Sequence, residues 1–181
     1  FKKRLNLIFT ARLDMHDFTS KPFVSSDSNS FFYDRNFVLG SVWLTKRNFL
    51  KSLRIRGFGR TEDIPTGGAA SILLGTEINE FANRSYVELG GTFGNYFTRI
   101  GYVNLSSSIG SFFNSGKSED GVLAITGNYF SDLIKLRKTY LRQFLYFTYT
   151  RGFNRILDRT ISLSGKWRDE NNLSPLGSNR I

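Results

Sequence analysis

The chain reads as all-β, an antiparallel up-and-down transmembrane β-barrel of about nine strands, present in part. Three observations lead there. Apolar and polar residues alternate with period two along most of the chain, as they do in strands with two unlike faces. The alternating runs mostly last about 10–14 residues, enough to cross a bilayer when tilted. Composition agrees, since aromatics make up 15% of the 181 residues, led by 18 Phe and 8 Tyr. Aromatic and β-branched side chains suit a pleated surface.

In the first run, Leu5, Leu7, Phe9, Ala11 and Leu13 oppose Asn6, Ile8, Thr10 and Arg12. Over 36–46, Val38, Val42 and Leu44 oppose Ser41, Trp43 and Thr45; over 50–60, Leu53 and Ile55 oppose Arg54 and Arg56. A fourth run sets Ile72, Leu74 and Ile78 against Ser71, Gly75, Glu77 and Asn79. In 84–97, Val87, Leu89, Gly91 and Phe93 oppose Glu88, Gly90, Thr92 and Gly94. In 100–113, Val103, Leu105 and Ile109 oppose Asn104, Ser106, Ser108 and Gly110. Leu123, Ile125 and Tyr129 oppose Ala124, Thr126 and Asn128 in 121–130. Leu145, Phe147 and Tyr149 then oppose Tyr146, Thr148 and Thr150. The clearest run is the last, 160–168, with Ile161, Leu163, Gly165 and Trp167 against Ser162, Ser164, Lys166 and Arg168.

Short connections are expected at 46–48, 81–84, 114–117 and 154–158, and one long polar loop at about 15–35. The prolines, Pro22, Pro65 and Pro175, read as loop or strand-end residues. Long loops of such barrels are normally extracellular. That puts 15–35 and 61–67 outside, 46–48, 81–84 and 153–159 on the periplasmic side, and the segment after Arg168 outside. Phe81, Tyr96, Phe97, Phe112, Phe113, Tyr140 and Trp167 fall near strand ends, as interfacial girdles do. A soluble barrel or sandwich would use strands of about five or six residues. Its hidden face would be apolar, whereas here Gly, Ser, Thr, Asn and Arg suit a wet lumen. Residues 1–181 read as part of a single barrel domain with both ends cut, because two unpaired sheet edges are not viable in hydrocarbon.

No run of about 18 apolar residues is present, so no transmembrane helix is expected. The mean hydropathy of −0.26 is compatible with a barrel, where only every second strand residue meets lipid. With no Cys, disulfides and thiolate chemistry are out. The net charge of +10 is dispersed along the strands rather than gathered into a patch, which argues against nucleic acid as a partner. His16, with Asp14, Asp17 and Ser20 nearby, is the one place for a Ser-His pair, but no nucleophile elbow accompanies it. Glu119-Asp120 and Asp169-Glu170 could hold a divalent cation weakly and read more simply as turn residues. No cofactor, metal or catalytic residue is assigned.

Two segments carry a family resemblance. Ile55-Arg56-Gly57-Phe58 resembles the V/I-R-G-F/Y element of barrel-assembly and translocation proteins (BamA/TamA type) in the surface-antigen superfamily. In that family the loop carrying this element folds into the lumen and its Arg pairs with acidic residues of the wall, a pairing a buried guanidinium requires. The run from Gly57 to Pro65, Asn128-Tyr129-Phe130 and the stretch from Tyr149 to Asn154 are similar to the same barrels. In the relatives an Asp-Glu-Asn run leads into the Arg-Gly-Phe loop. Here Asp169-Glu170-Asn171 leads instead into Asn172-Leu173-Ser174-Pro175. The resemblance implies a non-enzymatic protein of the bacterial outer membrane, in contact with lipid and with client barrels or other envelope proteins. Its motif residues would be Arg56, Gly57, Phe58, Asp169 and Glu170.

The alternation itself assigns Arg12, Arg54, Arg56, Glu88 and Lys166 to the lumen. A second reading is a passive pore in which Arg12, Arg54, Arg56 and Lys166 favour anionic solutes. A third, an outer-membrane lipase, requires a Ser close to His16.

Overall fold

Alternation becomes structure when neighbouring strands place their like faces on the same side. The computed structural model describes residues 5–26, 32–53, 61–155 and 179–180. Its strands are β1 (Leu5–His16), β2 (Arg35–Leu53), β3 (Thr61–Asn79), β4 (Asn83–Phe97), β5 (Gly101–Asn114) and β6 (Lys117–Ser131). They continue with β7 (Ile134–Leu136), β8 (Thr139–Leu141), β9 (Phe144–Phe153) and the two-residue β10 (Asn179–Arg180). Eight of them form one antiparallel sheet in the order β1-β2-β3-β4-β5-β6-β9-β10, while β7 and β8 pair separately as a hairpin. Among the described residues β1 and β10 are the edges and do not pair with each other, so the sheet is not closed into a barrel.

Register lines up the faces. One cross-strand row runs Phe9, Val42, Ile72, Leu89, Ile109, Leu123; the adjacent row on the other face runs Ile8, Trp43, Ser71, Gly90, Ser108, Ala124, Thr150. Leu5, Leu7, Phe9, Ile72, Leu89, Ile109 and Phe147 are exposed on the first face. The second face is concave. Phe37 of β2 and Phe112 of β5 bring their rings to 6.4 Å, although three strand steps in a flat sheet span roughly 14 Å. Arg84 of β4 likewise reaches Asp120 of β6 at 3.0 Å. The first face thus displays a nearly continuous apolar surface, while the concave face mixes hydroxyls, glycines and charges with Ile8, Phe37, Leu39, Trp43, Leu73 and Phe112.

Turn chemistry fits the short connections. Asn114 pairs with Lys117 around Ser115 (φ 49°) and Gly116 (φ 80°), a two-residue loop with both centres at positive φ whose twist matches the flanking strands. Asn79 Oδ1 accepts the N–H groups of Phe81 and Ala82 at 2.9 and 2.8 Å, closing the turn between β3 and β4.

Several expectations are corrected. Residues 46–48 are not a turn: β2 runs through them, opposite Gly68, Gly67 and Thr66 of β3. Nor are 61–67 a loop, since β3 begins at Thr61 and contains Pro65. The expected 36–46 and 50–60 runs are thus one strand as far as Leu53. Lys46, Arg47 and Asn48 looked like a polar turn because three consecutive polar residues interrupt the alternation. Pro65 is tolerated because β4 first pairs with β3 at Gly67, leaving 61–66 bonded on one side only.

At Gly67 the arm formed by 47–53 and 61–66 leaves the sheet. Its φ is 118°, and a Cβ there would lie 2.0 Å from the Lys46 carbonyl oxygen. The arm bends over the concave face, where the Tyr102 hydroxyl donates to the Pro65 carbonyl at 2.8 Å and Ile64 is buried.

Removing one turn changes sidedness. The 17–34 loop, the 80–82 turn and the 115–116 turn all lie at one end of the sheet, and β9 finishes there too. The expected placement of 81–84 and of 153–155 opposite the long loop is overturned; 156–159 lie outside the described residues. The other end carries the 98–100 turn and the β7–β8 hairpin.

Candidate functional site on the concave face

The middle of the concave face is floored by small polar side chains. Two adjacent rows, Thr45-Ala69-Thr92-Ser106-Thr126-Thr148 and Trp43-Ser71-Gly90-Ser108-Ala124-Thr150, follow from the register. The hydroxyls pair among themselves: Thr92 with Ser106 at 2.8 Å, and Thr10 with Ser41 at 2.6 Å. Trp43 Nε1 donates to Ser41 Oγ at 2.8 Å. A shallow hollow of about 370 Å³ lies above this floor. Glu88 is at its border and accepts a 2.7 Å hydrogen bond from the Tyr86 hydroxyl.

Toward the end that carries the 17–34 loop, the same face holds a buried charge cluster. Glu77 and Arg84 face each other across the β3–β4 hairpin. The Arg84 guanidinium donates through Nε to Glu77 Oε2 at 2.9 Å, and again to Glu77 through Nη2. Its Nη1 donates to Asp120 at 3.0 Å and to Glu119 at 3.3 Å. The Phe112 ring covers it at 4.4 Å. Glu77, Arg84 and Asp120 are buried. A desolvated guanidinium needs this complement, because a buried charge stripped of its partners is strongly destabilising. Asp120 gets its place from a register shift between Gly110 and Phe112 and from its own φ of 50°. Glu119 and Asp120 are thus ligands of Arg84 within β6, not turn residues.

Outside the sheet, the 17–34 loop is clasped to the 80–82 turn. Lys21 Nζ bonds Asp34 at 2.7 Å and also bonds Glu80. The Phe18 N–H donates to Asp34 at 2.8 Å. The Lys21 bond first, and the Phe18 N–H second, hold the Asp34 carboxyl below its usual range. Bonds to Asp34 and then Glu80 raise Lys21. Tyr33 is buried behind the clasp, its ring 4.8 Å from that of Phe81 and its hydroxyl on the Ser25 carbonyl.

At the opposite end a cleft of about 580 Å³ separates the bent arm from β5, β6 and β9, lined by Asp63, Pro65, Tyr102, Asn104, Asn128 and Phe144 among others. Tyr102 and Phe130 stack at 5.0 Å.

Of the site residues read from sequence, Arg12 and Glu88 project from the concave face two rows or fewer apart. Arg12 is largely exposed and pairs with Asp14 at 2.7 Å. Arg54, Arg56, Gly57, Phe58, Lys166, Asp169 and Glu170 lie outside the described residues, as does the expected 160–168 strand. His16 is the last residue of β1, opposite Arg35 and edge-on to Phe37 at 6.3 Å. Among the described residues no group of three or more His, Cys, Asp or Glu side chains is placed to hold a metal ion. Tyr96 and Phe112, expected in outward girdles, instead point into the concave face, Tyr96 bonding Asp132 and Phe112 covering Arg84.

The Arg84 cluster is what sequence reasoning missed. Its signal was partial: a hairpin turning at 80–82 sets Glu77 opposite Arg84, but Asp120 comes from two strands away. No family model, curated protein or solved structure matches the chain.

Proposed function

We propose that this sheet is wall from an outer-membrane β-barrel, with its convex face in lipid and its concave face toward a hydrated lumen. The proposed role, taken from the resemblance to barrel-assembly and translocation proteins, is non-enzymatic handling of other envelope proteins. The supporting observation is the inversion of the usual protein pattern. Along β1 to β5 large apolar side chains are exposed all along the convex side, while the concave side carries most of the hydroxyls, glycines and charges, with apolar residues such as Ile8, Leu39, Trp43 and Leu73 among them. In water such a surface would be an extended apolar patch far beyond what soluble monomers tolerate. In a bilayer it is the required outer surface. Strands of 14 to 19 residues in β2 to β6 are long enough for a tilted crossing.

The test begins with the full chain reconstituted into lipid vesicles, carrying single cysteines. Cys at Leu89 should resist a water-soluble thiol reagent and Cys at Thr92 should react; equal reaction of both would overturn the membrane reading. The assembly role is tested separately, by adding an unfolded outer-membrane barrel to those vesicles. Faster client folding than in empty vesicles is expected, and an unchanged rate would remove that role.

The hydroxyl floor favours a second reading, a passive pore. Its expected anion preference is opposed by Glu88 and by the excess of carboxylates over Arg84 in the cluster of Glu77, Glu119 and Asp120 on the same face as Arg12. A steady, large current across a planar bilayer would support the pore, and a mostly closed barrel the assembly role.

A further inference from the structure

Between β6 and β9 the chain makes an excursion that wall building does not require. A tight turn would have sufficed, yet residues 132–143 form the separate β7–β8 hairpin. The hairpin is out of step with the wall. Phe130 pairs with Phe144, but Ile134 pairs with Leu141, so one extra residue enters on the β6 side. An extra residue of this kind bends a strand and re-aims the residues beyond it. Every residue of both short strands is exposed.

The base of the hairpin is fixed. Asp132 accepts the Arg99 N–H at 2.9 Å and the Tyr96 hydroxyl, and Ser131 and Gln143 bond each other through Ser131 N–H to Gln143 O at 2.9 Å. The guanidinium of Arg142 turns back over Phe130 at 5.4 Å. The projecting strands are therefore tied to the wall at their base.

The hairpin's chemistry has two parts. Ile134 and Leu141 are cross-strand partners, Leu136 lies next on the same side, and all three are exposed. Lys135 lies on the other side, paired with Tyr140, and Arg137 and Lys138 form the tip. No Asp or Glu occurs from 133 to 143, and the one carboxylate of the excursion, Asp132, is held at its base by Tyr96 and the Arg99 N–H, away from these cations in sequence.

We propose that the β7–β8 hairpin is a membrane-surface anchor that binds anionic, phosphate-bearing lipid headgroups. This rests on the barrel reading above. Apolar side chains beside a cluster of Lys and Arg are the combination that lies at a bilayer interface, the apolar part in the acyl boundary and the cations on phosphates. Tyr140 suits the headgroup level. A nucleic acid would leave Ile134, Leu136 and Leu141 in water, and the apolar face alone would not need three cations.

The chain has no native cysteine, so an environment-sensitive dye can be placed on a single Cys at Leu136, with a second protein labelled at Leu89. Both are reconstituted as the full chain into vesicles of neutral phosphatidylcholine, with or without phosphatidylglycerol. The Leu136 dye should shift to the blue only when the anionic lipid is present. The shift should be lost at high salt and in Lys135→Gln/Arg137→Gln/Lys138→Gln. The Leu89 dye should be lipid-like in both vesicles. A lipid-like Leu89 with a Leu136 dye indifferent to anionic lipid would overturn the anchor and leave the barrel reading intact. An aqueous Leu89 would instead remove the barrel reading on which the anchor rests. A Leu136 shift that persists in neutral vesicles or in the triple variant would show plain apolar insertion and overturn the headgroup role.

Discussion

Gly67 shows how much of the architecture can hang on one residue. Its φ of 118° lets the β2–β3 arm leave the sheet and fold across the concave face, and a Cβ would strike the Lys46 carbonyl. Gly67→Ala should therefore destabilise the chain by about 1–3 kcal/mol, a strained-backbone cost, seen as a lower urea midpoint in detergent. An unchanged midpoint would mean that the arm can be repositioned at no cost. Arg84 is the second such residue. Arg84→Met leaves Glu77 buried opposite an apolar chain and should cost about 3–5 kcal/mol, whereas the Arg84→Met/Glu77→Gln double variant should recover part of that loss. Strictly additive single-variant effects would refute the coupling. In the Arg84 cluster, Glu77 was legible as a polar-face position, but Arg84 was not, because the expected turn at 81–84 took it out of the strand that sets it opposite Glu77. Gly67 was legible only in part: a glycine there suits a bend in the wall, but the expected loop at 61–67 hid that the chain stays a strand on both sides of it.

At the level of elements, period-two alternation carried the reading. The opposed faces of β1, β4, β5, β6 and β9 are those expected from Leu5–Leu13, Val87–Phe93, Val103–Ile109, Leu123–Tyr129 and Leu145–Tyr149. Strand ends were harder. A polar triplet such as Lys46-Arg47-Asn48 breaks the alternation as a turn would, and only pairing with 66–68 decides between them. The 17–34 loop is clasped by charge, and the clasp is expected to weaken at low pH. Asp34 titrates below its ordinary value of about 3.8 because Lys21 and the Phe18 N–H stabilise its anion. A depressed carboxyl contributes fully above that ordinary value and loses its contribution as pH falls through the lower, folded one. The raised Lys21 contributes fully below the ordinary lysine range and fails only in strong alkali. Cleavage by an acid-active protease within 17–26 should accordingly rise as pH falls below about 4, and Asp34→Asn should be cut readily already at pH 5. A cleavage rate that does not depend on pH in the wild type, or on residue 34, would show that the clasp does not order the loop.

For the whole molecule, what matters is which strand ends share a side, and this is a matter of parity. Each strand that crosses the wall exchanges ends, so an even number of crossings returns the chain to the side it left. Between the 17–34 loop and the 115–116 turn lie β2, β3, β4 and β5, an even number; β6 then carries the chain to the β7–β8 hairpin on the other side. Reading a turn at 46–48 inserts one crossing too many and reverses everything downstream, even though the alternation within each strand is correct. Long-range bonds oppose that reversed scheme: Lys21 of the loop reaches Glu80 of the 80–82 turn, which the scheme places across the membrane. The consequence can be measured on intact cells producing single-Cys variants, again exploiting the absence of native Cys. With the wall in a membrane, a bulky impermeant thiol reagent added outside should treat Ser20→Cys and Ser115→Cys alike and Lys138→Cys oppositely. Breaking the cells open should make all three reactive, which excludes burial as the reason for protection. Ser20→Cys and Ser115→Cys falling on opposite sides would mean that β2 does not run unbroken through Lys46, Arg47 and Asn48, and the register that creates the concave face would fall with it.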